Sequence, residues 1–199
     1  MDFSRTNMTE LAGIIANHLA EHKIAVVLVG GLAVEIYSQN LYLTKDIDMV
    51  NTSYTPAKTL QLAMAKLGFS KQGRVFVNST TEVTIEFPSA PLSVGDELIT
   101  QTTTIPTSHG DIPILTVEDV AKDRLAAFIH WQDMQSMVQA TAVMLKHQLK
   151  PDYFRAFIKR EGNTKHYTIL QLLFAAGKQG DVTMQALETS LADILLQQY

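Results

Sequence analysis

The chain has 199 residues, 46% of them hydrophobic and 18% charged, with a formal net charge of -4. That composition suits a globular protein with a real core and gives no support to a long basic footprint for nucleic acid. There are no cysteines, which excludes disulfides, zinc–thiolate sites and a cysteine nucleophile.

Residues 1–5 lack a long apolar run behind a basic start, so no signal peptide is expected. The longest apolar runs, such as 24–29, fall far short of the ~20 residues that span a bilayer. The expectation is a cytoplasmic protein without membrane contact.

A first helix is expected to start with Thr9 as its cap, because Leu11, Ile14, Ile15, His18 and Leu19 recur at helical spacing. Residues 24–29 form a short run rich in β-branched side chains, which suits a strand buried on both faces. Gly30-Gly31 ends that run, and 32–37 reads as a short helix. Residues 46–50 open with polar–apolar alternation, the pattern of a half-buried strand. Pro56 sits where helices begin, and good helix formers follow over 57–67.

Two further strands are predicted over 74–78 and 82–87, joined by a hairpin through Ser79-Thr80-Thr81. The stretch 88–106 holds three prolines and Gly95 and reads as loop, and 111–115 reads as a final strand. From there the character turns helical. Thr116 with Asp119 three residues on resembles a helix start, and helices are predicted over 117–129, 132–148, 151–160, 165–176 and 183–197. Gly162, Gly177 and Gly180 punctuate them. The division expected is an α/β core over 1–115 and a helical domain over 116–199.

The chemistry concentrates at Asp46 and Asp48. A strand puts residues i and i+2 on one face, so both carboxylates point the same way while Ile47 and Met49 point inward. Two close carboxylates repel each other, and a shared divalent cation is one resolution. Mg²⁺ characteristically takes one or two carboxylates together with phosphate oxygens and water. The plain alternative is a pair of solvated acids on an exposed face. Gly30-Gly31 at a strand end lets the backbone turn sharply and lets a phosphate approach main-chain N–H groups; a tight turn without a ligand is its alternative.

The order of buried strand, Gly-Gly, short helix and Asp-x-Asp strand resembles the signature of the DNA polymerase β-like nucleotidyltransferase superfamily. Fourteen residues separate Gly31 from Asp46, and Thr44-Lys45-Asp46-Ile47-Asp48 is similar to the matching stretch of its toxin–antitoxin and abortive-infection branch. The resemblance covers about residues 24–133. It implies an α+β fold with a nucleotidyltransferase-like mixed sheet flanked by helices, followed by a C-terminal helical region. It also implies a third carboxylate on a neighbouring strand. Glu86, in Thr84-Ile85-Glu86-Phe87-Pro88, is the best match, although family members often have Asp there; Glu82 is its rival on the same strand face. Lys122-Asp123-Arg124, with Trp131-Gln132-Asp133 after it, is similar to some bacterial nucleotidyltransferases and implies a basic residue near nucleotide phosphates. Lys122 is the first candidate and Arg124 the second; two apart on a helix, they face different ways.

On this resemblance Asp46, Asp48 and Glu86 are the catalytic and metal-binding residues. Gly30, Gly31, Lys45, Lys122 and Arg124 are the candidates for nucleotide phosphates, Mg²⁺ or Mn²⁺ is the cofactor, and a nucleoside triphosphate is the substrate. The implied reaction transfers a nucleoside monophosphate to a hydroxyl of an unidentified acceptor: a protein, an RNA end or a small molecule. Alternatives are a catalytically inactive nucleotide-binding protein or a toxin–antitoxin component that binds a partner protein, both on the same fold, and a glycosyltransferase using Asp-x-Asp, against which the short chain and the early Gly-Gly speak. For partners beyond the substrates, a partner protein and a homo-oligomer both stay open.

The remaining motifs are weaker. His18 and His22, spaced i, i+4 around Glu21, formally match His-x-x-Glu-His, but no third ligand is evident. Trp131, Tyr153, Phe154 and Phe157 are expected in the core, and His130 is expected as a half-buried packing residue.

Overall fold

A computed structural model describes residues 1–180 and 182–197. The fold is mixed α+β: a central mixed sheet with flanking helices, and a set of helices over the C-terminal part of the chain. The chain divides into two compact units. The first comprises Met1–Ala33, Leu43–Ser93 and Leu98–Thr116; the second comprises Val34–Tyr42, Val94–Glu97 and Val117–Tyr199.

In the first unit, helix α1 (Met8–Glu21) starts one residue before Thr9. Asn7, not Thr9, caps it, its side chain accepting the Glu10 N–H. Asparagine is the stronger cap, and its position three residues before Glu10 supplies the reach. Strand β1 (Val26–Val29) is buried apart from its last residue. Helix α2 (Gly30–Tyr37) follows without a break, so the two glycines are its first residues rather than the turn before it. Strand β2 (Asp46–Asn51) and helix α3 (Ala57–Lys66), capped by Pro56, lie close to where the sequence pattern puts them.

Strands β3 (Ser70–Gln72), β4 (Val75–Asn78) and β5 (Thr81–Glu86) form an antiparallel meander. β3 was not expected; its three exposed polar residues carry no alternating pattern. The stretch expected as loop instead holds a two-stranded ribbon, β6 (Ser93–Val94) with β7 (Glu97–Leu98), and strand β8 (Thr103–Thr107). β8 is an edge strand, where the missing N–H of Pro106 is tolerated. Strand β9 (Gly110–Ile114) completes a seven-stranded sheet of order β3-β4-β5-β2-β1-β9-β8.

Two pairings position the acidic residues. β1 and β2 run antiparallel, with Val29 opposite Asp48. β2 and β5 run parallel, with Asp46 opposite Thr84 and Asp48 opposite Glu86. Along β2 the burial alternates: Asp46 is exposed, Ile47 buried, Asp48 half-buried and Met49 buried. Ile47, Met49 and Ile85 join Leu11, Ile15, Leu19 and Leu28 among the fully buried residues of this unit. Burial on that scale fixes the register, because a one-residue slip would turn Ile47 and Met49 to solvent and the aspartates into the core.

The second unit contains α4 (Val117–Trp131), α5 (Met134–Lys146), α6 (Pro151–Glu161), α7 (Thr164–Gly177) and α8 (Met184–Leu196). Their starts follow capping chemistry: Asp133 accepts the Gln135 N–H, Pro151 opens α6, Asn163 and His166 form a capping box, and Thr183 accepts the Ala186 N–H. Phe154 and Phe157 are buried, as expected. Trp131 is 81% exposed and Tyr153 60% exposed, which corrects their placement in the core. Trp131 is the last residue of α4. Among the described residues no helix is long and apolar enough to cross a membrane.

Candidate active site

The first unit gathers Gly30, Gly31, Lys45, Asp46, Asp48 and Glu86 around the end of β1, the start of β2 and the end of β5. In a parallel pair, residues in register share a face, so Asp46, Asp48, Thr84 and Glu86 lie on one side of the sheet. Glu82, two residues before Thr84, shares that face and is exposed; Glu86 is half-buried.

The glycine pair serves close approach. Gly30 has φ +65, a conformation an L side chain adopts only at a cost, and a Cβ there would lie 2.2 Å from Asp48 Oδ2. A Cβ on Gly31 would lie 2.8 Å from Thr44 Oγ1. The space that side chains would take at the start of α2 is therefore filled by the Asp48 carboxylate and the Thr44 hydroxyl. Any larger residue at position 30 must displace the carboxylate.

Asp46 is held by two threonines. Its N–H donates to Thr44 Oγ1 at 3.3 Å, and the Thr84 hydroxyl donates to its Oδ1. Thr84 N–H also donates to the Lys45 carbonyl at 3.3 Å. Lys45 itself is exposed at the strand entry. Sequence reasoning did not single out Thr84. The signal was present in the strand period, since Thr84 stands two residues from Glu86, but its relation to Asp46 depends on the register of two distant segments.

Among the described residues, no three His, Asp or Glu side chains gather closely enough to form a ready metal cage. The donor set at hand is the aspartate pair, with Glu86 in register beside Asp48. Two hard carboxylates with the remaining positions left to phosphate oxygens and water suit Mg²⁺, which rarely takes an all-protein cage, and their oxygen donors also suit Mn²⁺.

Lys122 and Arg124 lie on α4 in the second unit, each already engaged there. Lys122 Nζ is 3.0 Å from Glu97 Oε2 and 3.3 Å from Asp119 Oδ1, and stands over the Phe157 ring. Burial acts most strongly on this ammonium and pulls its pKa down, but the two carboxylates together outweigh it and leave the pKa raised. Glu97 also takes Arg160 Nη2 at 2.6 Å. Arg124 donates from Nε to Asp123 Oδ2 at 2.9 Å and from Nη2 to the same oxygen.

His18 and His22 have partners of their own. His18 Nε2 meets the Ala63 carbonyl at 2.9 Å, His22 Nδ1 meets the His18 carbonyl at 2.8 Å, and His22 Nε2 faces Lys66 Nζ at 2.9 Å. That arrangement is helix packing, not a metal site.

Comparison with family models finds no match, and comparison with curated proteins finds none either. Among solved structures the chain is similar to the crystal structure of ANT(2″)-Ia in complex with adenylyl-2″-tobramycin. The identity is 12% and the TM-score 0.38, over 93% of this chain and 97% of that one. A likeness at that level decides neither fold nor function here.

Proposed function

We propose that the chain is a metal-dependent nucleotidyltransferase whose active site lies on the acidic face of the first unit. The observation that supports it most is the meeting of Gly30 with Asp48: a left-handed glycine, conformationally costly for any other residue, makes room for one carboxylate of a same-face pair. A solvated surface acid needs no such room.

In this reading Asp46 and Asp48 hold the divalent cation, and Glu86 takes the proton of the acceptor hydroxyl. Mg²⁺ or Mn²⁺ held by these carboxylates would supply neutralisation of phosphate charge as it develops on the leaving pyrophosphate. The start of α2 presents main-chain N–H groups to phosphate. Lys45 stands at the strand entry, where an exposed ammonium attracts the anionic substrate. The acceptor oxygen attacks the α-phosphorus, the bond from that phosphorus to the bridging oxygen breaks, and pyrophosphate leaves. A phosphate role for Lys122 or Arg124 requires each to leave its present carboxylate partner.

A second reading is favoured by the absence of a close three-carboxylate group among the described residues: a nucleotide-binding protein that performs no transfer. A place in a toxin–antitoxin or abortive-infection system rests on the sequence resemblance alone.

The test is a transfer assay with nucleoside triphosphates labelled at the α-phosphate, Mg²⁺ or Mn²⁺, and protein, RNA and small-molecule acceptors. The proposal expects label on one acceptor class and release of pyrophosphate, both lost on chelation. Metal-dependent nucleotide binding with no label on any acceptor would favour the second reading.

A further inference from the structure

Thr84 stands at the centre of the acidic face without being acidic. Residues 82, 84 and 86 alternate onto one side of β5, so the strand presents Glu, Thr and Glu in turn to the aspartates of β2. The parallel register sets Thr84 opposite Asp46, thirty-eight positions earlier in the chain, and the hydroxyl donates to Asp46 Oδ1. The same residue is pinned by its main chain to the Lys45 carbonyl at 3.3 Å. Threonine is β-branched and stiff about χ1, and its backbone sits in a regular strand, so the hydroxyl has little freedom to leave.

An exposed aspartate is ordinarily free to rotate, and a ligand that needs one orientation must order it at a cost in side-chain entropy. Here the ordering is present before any ligand arrives. With Oδ1 engaged by the hydroxyl and the main-chain N–H held by Thr44 Oγ1, Oδ2 remains to take a cation. Among the described residues no ion pair forms on Asp46, so no basic side chain competes for that oxygen.

We propose that Thr84 is a positioning residue for Asp46, its hydroxyl fixing the carboxylate in the orientation that takes the divalent cation. This rests on the metal-site reading above. It assigns to β5 a role through a neutral hydroxyl, separate from any role of Glu86.

The test is Mn²⁺ binding to the full chain, followed by the electron paramagnetic resonance signal of the free ion, without nucleotide. The variants are Thr84→Val, Thr84→Ser and Asp48→Asn, with thermal unfolding recorded for each. Removal of a hydrogen-bond partner behind a metal ligand costs about 10–100-fold in affinity. Thr84→Val is therefore expected to weaken Mn²⁺ binding about tenfold at an unchanged melting temperature, and Thr84→Ser to restore it. Unaltered binding in Thr84→Val, with binding lost in Asp48→Asn, overturns the role of Thr84 and leaves the metal site standing. Binding that is absent in the wild type, or unaffected by Asp48→Asn, overturns the metal site and the role of Thr84 with it. Should Thr84→Val fail to fold, Thr84→Ala takes its place under the same outcomes.

Discussion

Glu161 and Glu97 in the second unit and Asp46 in the first are treated in opposite ways. In the second unit Glu161 has no exposed side-chain surface, yet it is surrounded by donors: His130 Nε2 at 3.0 Å, the Asp96 N–H at 3.2 Å and Arg160 Nε at 3.5 Å. Burial is the largest influence on its pKa and pushes it up, but the donors together outweigh it and the pKa is lowered. Glu97 behaves in the same way between Lys122 and Arg160. In the first unit Asp46 is exposed, and its side chain is met by a hydroxyl rather than by a cation. An acid that carries its own cation or donors is complete as part of the scaffold. An acid that the fold orients and leaves at the surface is suited to a cation from outside.

That contrast is open to measurement. The largest effect is expected at the aspartates. Asp46→Asn or Asp48→Asn should lower nucleotidyl transfer about 1,000-fold, the loss of the several kcal/mol that a metal contributes to the transition state. The melting temperature should hold; full activity in both variants would place the chemistry elsewhere. Next in size is Gly30→Ala, which places a Cβ 2.2 Å from Asp48 Oδ2 at φ +65. Left-handed backbone strain of roughly 1–2 kcal/mol should appear as a lower melting temperature. Displacement of the carboxylate should appear separately, as weaker Mn²⁺ binding.

Glu161→Gln should do the reverse, costing about 2 kcal/mol of stability for the charged hydrogen bonds and leaving Mn²⁺ binding unchanged. The folded carboxyl has a pKa below the ordinary glutamate value of 4.5. Its charge-linked stabilisation is therefore full above that value and is lost as pH falls through the folded pKa. The difference in melting temperature between wild type and Glu161→Gln should shrink as pH falls below 4.5. The smallest effect belongs to Glu82→Gln. This exposed residue beside the turn should change stability by less than about 0.5 kcal/mol, and transfer should be unaltered. A large loss of transfer there would move the third carboxylate from Glu86 to Glu82.

How much of this could be read in advance follows the range of the interactions. The β1–α2–β2 order was readable because Val26–Val29 is apolar, the glycines mark the strand end, and Ile47 and Met49 alternate with Asp46 and Asp48. Those signals are local. The cap at Asn7 was missed for Thr9 because both residues suit the role and only the helix start decides between them. Strands β3 and β8 were missed because neither has an apolar alternation; pairing with neighbours makes them strands. Trp131 was expected inside because aromatic spacing cannot show that a helix ends at the ring. The role of Thr84 was out of reach because Asp46 meets it through a register between segments thirty-eight residues apart.

The most direct test of the central claim is calorimetric titration of a nucleoside triphosphate into wild type, Asp46→Asn and Asp48→Asn, with Mg²⁺ and with chelator. Binding to the wild type alone, and only with Mg²⁺, is the predicted result. Binding of equal strength in chelator, or in both variants with Mg²⁺, would contradict a metal site on the acidic face of β2.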